Sequence, residues 1–169
     1  MNIRPETAKD FKSIYDLVRR AFETAKVSNG QEQDFVEKLR SGENYLPELA
    51  LVAEDEGRLA GHIMLTKITV EQEPENWAAL LAAPLSVELE HRGQGLGAEL
   101  MREAVRRAAA KNFPAVFLVG DPAYYRRFGF KPVTEYGLTY NLEIPSEYVL
   151  GLELREKALQ EAGGRINLG

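Results

Sequence analysis

The stretch PLSVELEHRGQGLGAELM, residues 84–101, changes character twice. It opens apolar, turns charged from Glu88 to Arg92, places glycine at 93, 95 and 97, and continues with the apolar spacing of a helix. Glycine loses more conformational freedom on folding than any other residue, so three at alternate positions between a strand and a helix require a use. A turn of this kind aims backbone N–H groups and the positive end of a helix dipole at one point, and it holds anions.

The flanks supply the architecture. Upstream, AALLAAPLSV (residues 78–87) is apolar on both faces, as a central strand is. Pro84 cannot donate to a ladder, which predicts a bulge or a splayed pair nearby. Downstream, Gly97 to Lys111 reads as a helix with Leu100, Met101, Ala104, Val105 and Ala108 inward, and PAVFLVG (114–120) as a buried strand. A strand–helix–strand unit over roughly residues 80–119 predicts one parallel pair with a right-handed crossover.

Further out, ETAKDFKSIYDLVRRAF (6–22) starts with a capping box, Thr7 to Asp10, and repeats Phe11, Ile14, Tyr15, Val18, Ala21 and Phe22 at helical spacing. Glu32 to Arg40 predicts a shorter helix with Phe35, Val36 and Leu39 on one face. ELALVAEDEGRLAGHIMLTKITV (48–70) predicts a strand, a tight turn at Glu56-Gly57 and a long second strand. EQEPENW (71–77) is a polar loop. DPAYYRRFGF (121–130) predicts a short helix stopped at Gly129. GLTYNLEI (137–144) and YVLGLEL (148–154) alternate like a final antiparallel pair. The tail, 156–169, predicts a short helix with a glycine stop, then an edge strand. Together these elements predict an α/β fold, a mixed sheet with helices on both faces, in a single domain spanning 1–169.

Composition narrows the function. The 169 residues are 44% hydrophobic and 28% charged, a globular balance long enough for a core without metals or disulfides. There is no cysteine, which removes thiolate metal sites and cysteine nucleophiles; no metal is expected. The N-terminus MNIRPETAKD lacks a secretory signal, and the longest apolar run, Ala78 to Val87, is far too short to span a bilayer. The expected location is cytoplasmic, without a membrane partner. A net charge of −5 and no long basic run argue against nucleic acid, while a cationic substrate is compatible with that charge.

Three anion sites compete for the glycine turn. A Walker loop needs G-K-[ST], and Gly97 is followed by Ala98 and Glu99. A dinucleotide fingerprint fits Gly93, Gly95 and Ala98, with Asp121 ending the next strand. That fold, however, runs its strand straight into the first glycine and opens a series of strand–helix units. Here Glu88 to Arg92 intervene and little α/β sequence follows.

The third reading takes Arg92-x-x-Gly95-x-Gly97 whole. It resembles the acyl-CoA loop Q/R-x-x-G-x-G/A of the GNAT N-acetyltransferases. AYYRRFGF (123–130) resembles a later segment of that family in Tyr125, Gly129 and Phe130. PLSV (84–87), GDPAYYRRFGF (120–130), GHI (61–63) and the pattern Glu32, Val36, Leu39, Arg40 resemble its YhbS-like subgroup, so the likeness covers nearly the whole chain. Leu89 departs from it, standing where many relatives have proline before an acidic residue.

The resemblance implies the acyl-CoA N-acyltransferase fold, a mostly antiparallel central sheet with one parallel strand pair, flanked by helices. It implies transfer of an acetyl group from acetyl-CoA to an amine by direct attack. The pyrophosphate would lie on Arg92, Gly93, Gln94, Gly95, Leu96, Gly97 and Ala98. The pantetheine arm would pair with the backbone of Leu85, Ser86 and Val87, where the sheet splays before the strand Ala115 to Gly120. A backbone N–H near Val87 would stabilise the thioester oxygen, and Tyr125 would protonate the leaving sulfur or, on the plainer reading, order the cofactor by packing. Arg126 and Arg127 are either further phosphate contacts or solvated. The base is open among Glu32, Glu88, Glu90, His91 or a carboxylate acting through water. His62 reads as a structural histidine, and Trp77 as packing.

The expected partner is a small-molecule or peptide amine, with homodimerisation left open. Its site would be built from the two early helices, the loop Glu71 to Glu75 and the C-terminal strands. That loop carries three carboxylates, with Glu43 and Glu48 adding to the field, which suits a cationic amine or is simply a solvated loop. A non-catalytic acyl-CoA-binding sensor and a dinucleotide-dependent oxidoreductase are the competing functions.

Overall fold

The computed structural model describes residues 1–25, 28–160 and 163–168. The chain forms two compact units, Met1–Thr66 with Ala83–Arg107 and Lys67–Ala82 with Ala108–Gly169.

In the first unit, β1 (Asn2–Pro5) precedes α1 (Phe11–Glu23), α2 (Glu32–Arg40), β2 (Ala50–Asp55) and β3 (Arg58–Glu71). Then come β4 (Trp77–Val87) and α3 (Leu96–Ala110). The last residues of β3, the first of β4 and the end of α3 belong to the second unit. β1 escapes the sequence reading because four residues ending in proline carry no legible alternation. It pairs antiparallel with β2 from Asn2↔Glu54 to Pro5↔Leu51.

α1 is entered as its sequence predicts. The Thr7 N–H donates to the Asp10 carboxylate at 2.8 Å, and Arg4 grips the same carboxylate at 2.7 and 3.0 Å. Ile14, Val18 and Ala21 are buried, joined by Leu17, while Phe11, Tyr15 and Phe22 lie half-buried beside them. α2 has its predicted bounds, but only Val36 of its expected face is fully buried. Phe35 is exposed and Gln33 turns inward, one turn from Val36. Ile14, Leu17, Val18, Val36, Ala50, Val52 and Met64 form one core cluster. Glu56 and Gly57, both at positive φ, make the predicted tight turn between β2 and β3.

α3 packs on the opposite face of β3. A Cβ at Gly61 would stand 2.7 Å from Leu100 Cδ1 and 3.2 Å from the Ser86 carbonyl oxygen. Alternate strand residues face opposite ways, so the face of Gly61 is not that of Met64. Leu96, Leu100, Met101, Ala104 and Ala108 of α3 are buried, and Val105 is half-buried.

The second unit adds β5 (Ala115–Val119), α4 (Pro122–Tyr125), β6 (Lys131–Pro132), β7 (Thr139–Tyr140), β8 (Val149–Glu153) and β9 (Arg165–Ile166). β4 and β5 are parallel, through Leu80↔Val116 and Leu81↔Phe117; Pro84 lies beyond the paired residues. The expected pairing of 137–144 with 148–154 does not form. β8, apolar and buried over Val149–Gly151, pairs antiparallel with β5 and β6, whereas β7 runs parallel to β9. A turn of 3-10 helix at Ser146–Tyr148, entered from Pro145, replaces the hairpin. The expected tail helix is turns over the described residues 156–160; its continuation at 161–162 lies outside the described residues. β9 is not an edge strand, since it pairs with both β3 and β7. Val70, Ala79, Ala115, Phe117, Val149 and Ile166 anchor this unit's core, with Trp77 tilted against Phe117.

Among the described residues the sheet has nine strands. The order is β1-β2-β3-β4-β5-β8-β6, with β7 and β9 off that path, and it is mostly antiparallel. No described helix is long and apolar enough to cross a membrane.

Candidate functional site

The glycine turn is built as its sequence suggests. β4 ends at Val87, the Glu88 N–H donates to the Ala60 carbonyl at 2.8 Å, and Leu89–His91 form one turn of 3-10 helix. Gly93 and Gly95 have φ of 75° and 82°, the left-handed region that disfavours side chains. A Cβ at either would meet nothing within 4 Å, so backbone conformation, not crowding, demands glycine there. The Glu99 N–H makes a helical bond to the Gly95 carbonyl at 3.0 Å. The N–H groups of Leu96, Gly97 and Ala98 precede it and belong to the helix start, where intrahelical partners are lacking. Leu96 and Ala98 anchor that start by burial, while Gly93, Gln94 and Gly95 are exposed. In β4, Ser86 is buried between half-buried Leu85 and Val87.

The Arg92 side chain makes three hydrogen bonds within the protein. Its Nη2 donates to the Ala21 carbonyl at 2.7 Å, its Nη1 to the Thr24 hydroxyl at 3.0 Å and its Nε to the Val87 carbonyl at 3.3 Å. Glu88 is held by Arg20, whose Nε lies 3.1 Å from Oε1 and whose Nη2 makes a second bond. The hydrogen bond that Arg20 donates to the Glu88 carboxylate raises the Arg20 pKa.

The candidate bases are similarly engaged. Glu32 accepts from the Ser28 hydroxyl at 2.7 Å and the Asn29 N–H at 3.3 Å, closing the turn into α2. His91 Nε2 lies 3.3 Å from Asp55, and its Nδ1 lies 3.9 Å from Glu90. Glu88, Glu90 and His91 line an open cleft of about 1230 Å³ with Asp10, Glu54 and Asp55. Its carboxylates are largely paired, Asp10 and Glu54 with Arg4 and Glu88 with Arg20.

His62, read from the sequence as a structural histidine, lies in a buried polar cluster that the sequence reading does not anticipate. It is fully buried on β3, and its Nε2 lies 3.0 Å from Glu6 Oε1. Glu6 also accepts from Arg40 at 2.7 and 3.1 Å and from the Tyr45 hydroxyl at 2.6 Å. Burial alone would raise the Glu6 pKa; the hydrogen bonds from His62, Arg40 and Tyr45 outweigh it and bring it down to about 2. Sequence reading misses this cluster because residues 6, 40, 45 and 62 share no local pattern.

Tyr125 lies in the second unit, at the end of α4. Asp121 caps that helix by accepting from the Ala123 N–H at 2.9 Å. The Tyr125 ring meets Tyr124, Phe128 and Phe130 with centroids 4.9, 6.3 and 6.0 Å away. A Cβ at Gly120 would fall 2.5 Å from Tyr125 Cε2, so the glycine before Asp121 exists to admit this ring. Burial first, then Tyr124 and Asp121, pushes the phenol up to about 12. Gly129, at φ 96°, stops the segment as predicted. Arg127 stacks on the Tyr124 ring at 4.3 Å and donates to the Tyr124 carbonyl at 2.8 Å; Arg126 is exposed.

Comparison with known proteins places these features in a family. Residues 2–133 match the family model of an acetyltransferase (GNAT) domain. The chain is 33% identical to the Escherichia coli N-acetyltransferase YjhQ over 82% of its own length and 75% of the relative's. It is 36% identical to Escherichia coli YhbS, over 82% and 78%. Among solved structures, Escherichia coli YhbS in complex with CoA superposes with a TM-score of 0.87 at 29% identity, covering 98% of this chain and 88% of that one. A GNAT family acetyltransferase from Brucella melitensis in complex with acetyl-CoA does so at 0.79 and 27%, covering 98% and 93%.

Proposed function

The chain belongs to the GNAT acetyltransferases, and from that premise we propose that it moves an acetyl group from acetyl-CoA to the nitrogen of an amine by direct attack. The observation that carries this reading is the start of α3: two left-handed glycines followed by the N–H groups of Leu96, Gly97 and Ala98 at the positive end of a fifteen-residue helix. The CoA and acetyl-CoA complexes of YhbS and the Brucella melitensis enzyme support it. The matched residues 2–133 run through both compact units, which favours reading them as one domain.

On this reading the pyrophosphate lies over residues 93–98 and the pantetheine arm follows the backbone of Leu85–Val87. The amine lone pair attacks the thioester carbon, and the Val87 N–H steadies the charge that gathers on oxygen. The C–S bond breaks with its electron pair going to sulfur, and the nitrogen gives up its proton to solvent water. Tyr125 donates a hydrogen bond, and then its proton, to the departing sulfur.

Calorimetry with acetyl-CoA tests the donor site. Gly95→Ala tests the cost of a side chain at positive φ, and Gly95→Glu adds a charge facing the pyrophosphate. The glutamate variant is expected to bind about tenfold more weakly than the alanine variant, as one added like charge near a surface can do. Equal affinities would remove the pyrophosphate from this turn.

For the acceptor, Glu71 at the end of β3 and Glu73 and Glu75 on the loop that follows are all exposed, and the Gln72 N–H closes that loop onto the Asn76 side chain at 3.0 Å. Three like charges raise the local concentration of a cation, so we assign the acceptor to cationic amines. Replacing the three by glutamine is expected to lower kcat/KM for the best amine by about two- to fivefold and to flatten its salt dependence, since exposed charges are screened over about 10 Å at 0.1 M salt. Thiol release with an amine panel gives the readout, and an unchanged salt slope would exclude the loop.

A further inference from the structure

We infer that Arg92 is a positioning residue, whose guanidinium clamps the acetyl-CoA turn to the last turn of α1 instead of binding a phosphate. The inference rests on the donor site proposed above. The last carbonyls of a helix lack intrahelical partners and form the negative end of its dipole. Ala21 is one of them in α1, and Arg92 supplies its donor at 2.7 Å. The Thr24 hydroxyl takes a second N–H and the Val87 carbonyl a third, so Nε and both Nη atoms are engaged within the protein.

A second arm makes this a clamp. Glu88, four residues before Arg92, is bound by Arg20 of the same helical turn. The turn Glu88–Arg92 is thus held at its first and last residues by residues 20–24. The segment assigned to the thioester ends immediately before it at Val87, and the N–H groups assigned to pyrophosphate begin immediately after it at Gly93. Fixing both ends fixes the spacing between those two jobs, and misplacement of such groups by about 1 Å is costly.

The two roles for Arg92 differ in measurable ways. A phosphate ligand contributes charge, so its loss flattens the salt dependence of acetyl-CoA binding. A clamp contributes geometry, so its loss weakens binding with the salt slope kept, and breaking the other arm has the same effect with Arg92 intact. Arg92→Met is expected to weaken acetyl-CoA binding about tenfold at an unchanged salt slope, and Arg20→Gln about threefold, the scale of the net contribution of one hydrogen bond. Thr24→Val, which keeps every charge and carries little folding risk, is expected to follow in the same direction. Hydrogen exchange of the ligand-free protein supplies a readout independent of acetyl-CoA. The amides hydrogen-bonded around the turn, those of Glu88, His91, Arg92 and Glu99, should exchange faster in Arg92→Met and Arg20→Gln. A flattened salt slope in Arg92→Met with wild-type affinity in Arg20→Gln and Thr24→Val would overturn the clamp, as would unchanged exchange. Wild-type protein that fails to bind acetyl-CoA would instead refute the donor site, leaving the exchange result to decide the clamp.

Discussion

Tyr125→Phe is expected to lower kcat about a hundredfold while the Kd for acetyl-CoA stays within about twofold of wild type, the scale of a lost acid in the transition state. The ring's neighbours, Tyr124, Phe128, Phe130 and the gap left by Gly120, accept phenylalanine as readily as tyrosine. Only the hydroxyl is removed. Burial holds the phenol at about 12, so it keeps its proton through the physiological range. On the proposed mechanism, a donor that weak acts on the departing sulfur first by hydrogen bonding and gives up its proton only as the C–S bond breaks. Wild type and variant should therefore show pH–rate profiles of the same shape below about pH 10, displaced in height. Steady-state thiol release and calorimetry measure the two quantities. A loss confined to affinity would make Tyr125 a packing residue.

Glu6→Gln is expected to destabilise the protein by about 3–5 kcal/mol, because it leaves the half-buried Arg40 guanidinium without its counter-charge and the buried His62 ring without its carboxylate partner. The melting temperature should fall by roughly 10 °C or more. The carboxyl titrates at about 2 in the folded chain against an ordinary 4.5. Since the folded value is the depressed one, its stabilisation is complete above about pH 4.5 and lost as pH falls toward 2. A shift of this size corresponds to about 3 kcal/mol. Asp10, lowered to about 2 chiefly by its hydrogen bond from Arg4, adds acid sensitivity that both proteins share. Urea melts between pH 2 and pH 5 should show a steeper loss for wild type than for Glu6→Gln; equal slopes would mean that Glu6 carries no net charge stabilisation.

Much of the turn proposed as the donor site was legible because it is local. Glycine at 93 and 95 states a backbone conformation, Gly129 states a stop, and the apolar run before them states a strand. Each depends on neighbours within a few residues. The family resemblance added roles that spacing alone leaves open, among them Tyr125. Gly61 and Gly120 were legible only as letters of a motif. Their reasons, the approach of Leu100 and Ser86 to one and of Tyr125 to the other, lie across the fold.

By itself the sequence determined the order of α1 to β5, the parallel pair, the tight turn at Glu56-Gly57 and the glycine turn before α3, because helical and strand periodicities and turn chemistry are short-range. Tertiary structure alone decided that β8 pairs with β5 and not with β7, that β9 lies between β3 and β7, and that Glu6, Arg40, Tyr45 and His62 meet. It also decided the partners of Arg92. A guanidinium carries the same charge wherever it points, and the carbonyl of Ala21 that it meets lies 71 residues away in the chain but 2.7 Å away in space.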